Sequence, residues 1–584
     1  MILLFPVFSV FPQLNSMAGA ALSSAAAEQF LGEAERLIGE DRWGDALAVL
    51  ERGGDFADVS SDISYLLARA LLHEGFPLPG VLEALGRAFE AGSWERYSLT
   101  QAYLLEAETL IWLRDYSGAL RALDRAEQGL PEMWTFSGPG VPSRAGGALP
   151  REEDQSRLVI LRLLALKGLP GQDEFRRRLT LALERYPRNP RPVEILFLWA
   201  AGGQAGDSGS PDRALVDLAL QRLPFLLDSS PRLAYLAAPF IRDAEEARRL
   251  VLAYRTLGNA ERESLPVSID LGLIDGEQAV EEFFAALPEA ELEKGLVQRV
   301  WSLLRGGEDR GLFLQRLLGY SGVIYSDSDG DGRSEERVRY SGGVLREYRR
   351  DADQDGISEL RILFSPGGVP LRAEQALGGG REIKIEWESY PAVLRAELGE
   401  MIFDSAPGNF LFAPLRFTRL AAGVLPGETP GNSGLLYPEA DTRQGPLNPR
   451  VLVSQALSIR RPSREFPGAF ERIELEEGVP RRAVEILDGK IAAITEFVLG
   501  LPRIQRLDLD LDGRMETIRY FRETSVDEAE PLAYEKILEL VETDRDRDGL
   551  YEMGERFLPD GTVIYSWDTD GDGIRDYVET RKSE

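Results

Sequence analysis

Val323-Ile324-Tyr325, then Asp327-Ser328-Asp329-Gly330-Asp331-Gly332-Arg333-Ser334-Glu335, then Arg337-Val338-Arg339-Tyr340: this stretch sets the reading of the C-terminal half. Its centre is the nine-residue pattern D-x-D-x-D-G-x-x-[D/E], and its flanks alternate apolar and polar residues as strands do. Carboxylates at positions 1, 3 and 5 converge as the chain curls, and Gly at position 6 permits the sharp turn. The carbonyl of position 7 points inward, and position 9 closes a cation cage. Hard oxygen ligands with no Cys or His nearby select Ca²⁺, with Mg²⁺ the weaker candidate because it resists dehydration.

The pattern occurs five times, which gives about five expected Ca²⁺ sites. The expected ligands are Asp327, Asp329, Asp331 and Glu335 in loop 1, and Asp351, Asp353, Asp355 and Glu359 in loop 2. Loop 3 offers Asp508, Asp510, Asp512 and Glu516, loop 4 Asp544, Asp546, Asp548 and Glu552, and loop 5 Asp568, Asp570, Asp572 and Asp576. Positions 1, 3, 5 and 6 suffice to find the loops, yet position 9 is acidic in all of them. At this composition five acidic residues in five have a chance of about 1 in 10,000, so a set of merely solvated acidic turns is a poor account. An EF-hand would need a bidentate Glu at position 12 and a helix on each side. Position 12 is Val338, Ile362, Arg519, Glu555 and Glu579, so three of the five cannot ligate, and the loops are expected between strands.

The motif resembles the calcium loops of integrin-type β-propeller (FG-GAP) repeats and, more distantly, those of thrombospondin type 3 repeats. The resemblance covers the nine loop positions and implies calcium binding. It does not extend to the propeller fold, because loops recur 24 residues apart (327 to 351, 544 to 568) and that is too short for a four-stranded blade. The spacing predicts a repeated module of turn, strand, loop and strand, with turns at Gly343-Val344, Gly368-Val369-Pro370, Gly478-Val479-Pro480, Gly500-Leu501-Pro502 and Asp560-Gly561. Twenty-four residues after Asp351 the chain reads Gln375-Ala376-Leu377-Gly378-Gly379-Gly380, a copy without carboxylates that is expected to bind nothing.

The chain has 584 residues, 43% hydrophobic and 28% charged, enough for several cores. Its formal charge is −30, and five bound Ca²⁺ would bring this to about −20, which still repels nucleic acid and anionic membranes. Zero cysteines remove disulfides, thiolate nucleophiles and zinc–cysteine sites. Residues 1–20 read as a signal peptide: Met1 to Phe11 is largely apolar and Ala18-Gly19-Ala20 is an A-x-A cleavage pattern. No run of 18 apolar residues suits a transmembrane span. The expected location is periplasmic or otherwise extracytoplasmic, where weak calcium sites saturate.

Residues 28–320 read as helix pairs, with apolar residues at helical spacing such as Leu104, Leu105, Ala107, Leu110 and Ile111. Trp112 to Leu120, continuing to Ala126 and Pro131, resembles a tetratricopeptide (TPR) repeat at its inter-helix turn and second helix. Small residues at Ala119 and Ala126 let two helices approach closely, and weaker copies carry Trp43 with Ala46 and Ala182 with Pro187. The resemblance implies a solenoid whose concave groove holds another protein or peptide. Ser137–Pro150, Gly202–Pro211 and Gly423–Pro449 read as loops.

The single histidine, His73, stands between Leu72 and Glu74 near the end of a predicted helix and reads as a capping or surface residue. No Ser-His or Cys-His pair can be built without another, and no Gly-rich phosphate loop occurs. No catalytic residue or organic cofactor site emerges. The fold expected is a two-part α+β chain: an α-solenoid of TPR-like helix pairs over 28–320, then an antiparallel β repeat region over 321–584. The function expected is that of an exported, non-enzymatic calcium-binding scaffold of the cell envelope. The alternative is a carbohydrate-active enzyme or a carbohydrate-binding or adhesin module that uses the β region; an apolar cleft holding two unpaired carboxylates would favour the enzyme.

Overall fold

The computed structural model describes residues 15–53, 60–128, 152–202, 213–259, 261–285, 291–328, 332–378, 380–406, 408–421, 435–441, 443, 445–522 and 536–582. Residues 1–14 of the expected leader lie outside these, and Ala18-Gly19-Ala20 falls within the first helix. The expected loop 137–150 and residues 203–211 and 423–434 of the other two also lie outside the described residues.

The chain is built in two parts, helices and then an antiparallel sheet. Six helices open it: α1 (Asn15–Gly39), α2 (Trp43–Arg52), α3 (Ser61–His73), α4 (Leu78–Ala91), α5 (Leu99–Trp112) and α6 (Tyr116–Gln128). They pack as sequential pairs, α1 on α2, α3 on α4 and α5 on α6. The small residues picked out by their spacing sit where two helices meet: Ala46, Ala119 and Ala126 have no exposed surface. Ser98 and Gln101 form a reciprocal capping box at the start of α5, so two of its end groups are satisfied locally. His73 lies half-exposed at the end of α3, stacked on Trp43 at 4.2 Å. The buried carboxylate of Asp62 in α3 accepts the N–H groups of Glu95, Arg96 and Tyr97 at 2.9–3.2 Å and so fixes the link from α4 to α5. Asp62→Ala would leave these donors without their acceptor, and is expected to lower stability by roughly 2 kcal/mol in chemical denaturation while the number of calcium sites in a titration stays the same.

From Gly322 the chain is an antiparallel meander. Each strand from Gly322–Ser326 to Met401–Ser405 pairs with the next; Ala456–Pro462 then joins the Met401 strand, and the series runs on to Tyr577–Lys582. Among the described residues this makes one 19-stranded sheet, begun by the parallel segment Leu292–Glu293 against Ile324 and Tyr325. A separate hairpin pairs Leu415–Arg419 with Leu436–Ala440. One end of the sheet is closed by tight turns such as Glu477-Gly478 and Leu499-Gly500, with both residues at positive φ (50° and 80°, 52° and 81°). That conformation matches the right-handed twist of the flanking strands. The opposite end carries all the acidic loops.

Two features of the packing matter for function. The principal apolar cluster runs from Leu265 to Phe497, so helices between 265 and 317 share one core with the sheet although the first strand of the meander starts at Gly322. Beyond Phe521, in contrast, no apolar side chain among the described residues is buried. The four strands between Leu538 and Lys582 are held by their backbone ladder, their loops and half-buried contacts such as those of Trp567 with Tyr565 and Tyr577.

Candidate metal centres

Each of the five loops joins two strands of the meander, and each position-12 residue lies in the strand after its loop. Val338 and Ile362, whose hydrocarbon side chains offer no ligand atom, are fully buried core residues. Within the loops one hydrogen-bond pattern repeats. The position-6 glycine N–H donates to the position-1 carboxylate at 2.6–2.9 Å: Gly332 to Asp327, Gly356 to Asp351, Gly513 to Asp508, Gly549 to Asp544 and Gly573 to Asp568. The position-2 N–H donates to the position-9 carboxylate at 2.8–3.1 Å: Ser328 to Glu335, Ala352 to Glu359, Leu509 to Glu516, Arg545 to Glu552 and Thr569 to Asp576. The position-6 glycines take φ between 84° and 99°, as the sharp turn requires.

In loops 3 and 4 all four expected ligands converge: Asp508, Asp510, Asp512 and Glu516, and Asp544, Asp546, Asp548 and Glu552, each set with ligand atoms within 4.8 Å of one another. In loop 2 Asp351, Asp353 and Asp355 converge, and in loop 5 Asp568, Asp570 and Asp572 do. Glu359 and Asp576 lie outside those sets. Both oxygens of Glu359 accept the Ala352 N–H, and the oxygens of Asp576 are held by the N–H and hydroxyl of Thr569. In loop 1 Asp327 and Glu335 take the shared pattern, whereas Asp329 and Asp331 lie outside the described residues.

The electrostatics of loop 2 suit a cation. Burial pushes the Asp351 carboxyl up to about 6, helped by the charges of Glu359, Asp355 and Asp353 and opposed by the Gly356 N–H. Its Oδ1 is buried without a hydrogen-bond partner, and a divalent cation would satisfy it where no protein donor does. Burial also raises Asp355. In loop 5 the neighbouring Asp572 charge raises Asp570, as expected of carboxylates gathered without a counter-ion.

Spacer positions turn out to be structural. Position 4 is left-handed in every loop where it is described: Gln354, Leu511, Arg547 and Gly571 have φ of 58°, 58°, 68° and 77°. Arg547 also reaches from loop 4 to loop 3, pairing with Asp510 and, at 2.9 Å, with Asp512. Arg333 of loop 1 donates to the Gln354 carbonyl of loop 2 at 2.8 Å, and Arg575 of loop 5 donates to the Tyr551 carbonyl of loop 4 at 3.0 Å. The loops form a row along one edge of the sheet, with a polar cavity of about 510 Å³ beside loops 1 and 2, lined by Tyr325, Arg333, Arg337, Asp351 and Gln354 among others. Nothing in the nine-residue pattern marks these cross-loop cations, because they occupy its unconstrained positions.

The copy without carboxylates keeps the ladder. Asp351, Asp544 and Asp568 each donate their N–H to the position-9 carbonyl of the preceding loop, Glu335, Glu516 and Glu552, at 2.8–2.9 Å. Ala376 makes the equivalent bond to the Glu359 carbonyl at 3.1 Å, so Ala376, one residue after Gln375, holds position 1 there. Gln375 instead is buried and brackets the backbone of Leu447, accepting its N–H at 3.1 Å and donating to its carbonyl at 3.4 Å. Asp546→Ala is expected to remove one site from a calcium titration; Gln375→Leu is expected to leave the count unchanged and to lower the melting temperature.

No protein-family profile matches the chain. An uncharacterized protein of Treponema pallidum (strain Nichols) is 22% identical over 373 residues, covering 53% of this chain and 44% of that protein. The chain thus spans less than half the length of this relative. A solved structure of Pseudomonas aeruginosa pilF aligns with 50% of this chain and 97% of its own at 12% identity, with a TM-score of 0.25. The TPR domain of P58(IPK) aligns with 49% of this chain and 96% of its own at 11% identity, with a TM-score of 0.17. At such scores a superposition decides nothing, and the helix pairing described above rests on the helices themselves. Among the described residues no helix is long and apolar enough to cross a membrane.

Proposed function

We propose that this chain is an exported calcium-binding scaffold of the cell envelope: the helical array, resembling TPR repeats, holds a segment of another protein, and Ca²⁺ in the five loops stiffens the β half. The observation that carries the reading is the shared loop geometry, in which position 6 holds position 1, position 2 holds position 9, and three or four carboxylates converge in each of the loops described in full. Oxygen-only ligands from carboxylates and backbone are the chemistry of Ca²⁺. Calorimetric titration of the full chain tests it: several calcium sites are expected, and absence of binding at millimolar Ca²⁺ would end the proposal. Export is tested by N-terminal sequencing of protein from its native cell, where a start near Ala21 is expected and an intact Met1 in the cytoplasm would reverse the assignment.

One cluster bears on the enzymatic alternative. Glu465 and Glu485 both reach the ammonium of Lys536, at 3.1 and 3.5 Å, in the part of the sheet between loops 2 and 3. Burial raises Glu485; for Glu465 burial is outweighed by Lys536, Gln505 and Arg519, which hold it low. Both carboxylates are tied to cations and to Gln505, and a glycosidase dyad must instead be open to substrate. That favours the scaffold. Partner affinity measured on the full chain, with Ca²⁺ and with chelator, separates a solenoid groove from a calcium-dependent adhesin: the first binds in both conditions, the second only with Ca²⁺.

A further inference from the structure

The first helices return to the first acidic loops from far along the chain. Arg114, between α5 and α6, pairs with Glu335 of loop 1 at 2.6 Å across 221 residues of sequence. Arg114 has φ of 58° just past the end of α5, and the Trp112 ring, two residues before it, lies under the Arg333 guanidinium at 4.7 Å. On the neighbouring helix pair, the Leu78 N–H donates to the Asp355 carbonyl of loop 2 at 2.7 Å. Gly356 fits so tightly there that a Cβ would lie 3.0 Å from the Pro77 Cα. The apolar cluster of α1–α5 includes no residue of the sheet, and the principal core includes none before Leu265. Among the described residues the molecule is therefore drawn into a ring whose closure is polar.

The closing bond is built into the sequence. The first N–H groups of a helix have no partner within it, and Leu78 stands between Pro77 and Pro79, which have no N–H at all. Its single donor is given to loop position 5. Asp355 thus serves twice: its carboxylate belongs to the converging set with Asp351 and Asp353, and its carbonyl accepts from α4.

We propose that a divalent cation in loop 2 closes this ring, so that calcium controls whether the N-terminal helices dock on the β half. This rests on the calcium reading above. Without a cation the three gathered carboxylates repel one another across a few ångströms, and the backbone at Asp355 and Gly356 loses the conformation that receives α4. With the cation, loop and acceptor are fixed together. By linkage, docking of the helices in turn raises the affinity of loop 2 for its cation.

Hydrogen exchange of the Leu78 amide reads the closure directly, because a peptide over residues 76–80 carries only two other amides, Phe76 and Gly80. In the full chain, 1 mM Ca²⁺ is expected to slow Leu78 exchange at least about tenfold relative to excess chelator. Asp353→Ala, which removes a ligand from loop 2 alone, is expected to exchange in Ca²⁺ as the wild type does in chelator. Asp570→Ala in loop 5 is expected to stay protected, and calorimetry should find each variant one site short. Equal exchange with and without Ca²⁺ overturns the proposal, as does Asp353→Ala losing its site with Leu78 still protected; both leave the calcium reading standing. A wild type that binds no Ca²⁺ overturns both.

Discussion

Chelating calcium is expected to unfold residues 538–582 while the rest of the chain stays folded. These four strands have no fully buried apolar side chain among the described residues, only half-buried ones such as Val541, Ile564 and Trp567, and strands with so thin an apolar face are marginal in water. Besides the ladder bonds, the packing of Trp567 on Tyr565 and Tyr577 and the Arg575–Glu542 ion pair, they are held by loops 4 and 5, whose carboxylates crowd within 4.8 Å. A site at a hundredfold its dissociation constant adds about 2.7 kcal/mol, so two sites add roughly 5 kcal/mol, more than a short ribbon holds by itself. Limited proteolysis of the full chain is the measurement. In chelator, cleavage after residue 522 should become rapid and release the C-terminal segment; in 1 mM Ca²⁺ the segment should persist, and a thermal transition more than about 10 °C higher should appear. Equal cleavage in both conditions would mean the ribbon is held by something other than cations.

Phe313→Ala is expected to cost about 3–5 kcal/mol, the range for deleting a buried phenyl ring. Phe313 has no exposed surface, and its ring lies 5.4 Å from Phe283, 5.2 Å from Phe284 and 5.9 Å from Trp301. It belongs to the cluster that helices 265–317 share with the sheet. The loss should therefore appear in the unfolding of both parts at once. A variant whose helices melt early while the sheet keeps its wild-type transition would show that the shared core does not couple them.

Both halves could be read from local signals because local physics makes them. The acidic loops impose strand–turn–strand on their surroundings, and Ala119 or Ala126 announces a close helix approach by its small size alone. What could not be read is long-range and polar. Arg114 meeting Glu335 leaves no periodic trace, and Arg547 occupies a loop position where any residue with a tolerable left-handed conformation fits. The merger of helices 265–317 with the sheet was hidden for another reason: an amphipathic helix shows the same apolar stripe whether it faces a helix or a sheet. The offset between Gln375 and Ala376 had no carboxylate to mark it, and a bulge between Ala376 and Gly378 shifts the register there.

The ladder that passes from Glu359 to Ala376, and from Ala492 to Asp508, separates heredity of shape from heredity of charge. A module without carboxylates still passes the meander to the next strand, since the bond that carries it forward is made by the backbone. On the calcium reading proposed above, single aspartates can therefore be replaced one loop at a time, each replacement removing a cation site while the outline of the sheet stays unchanged.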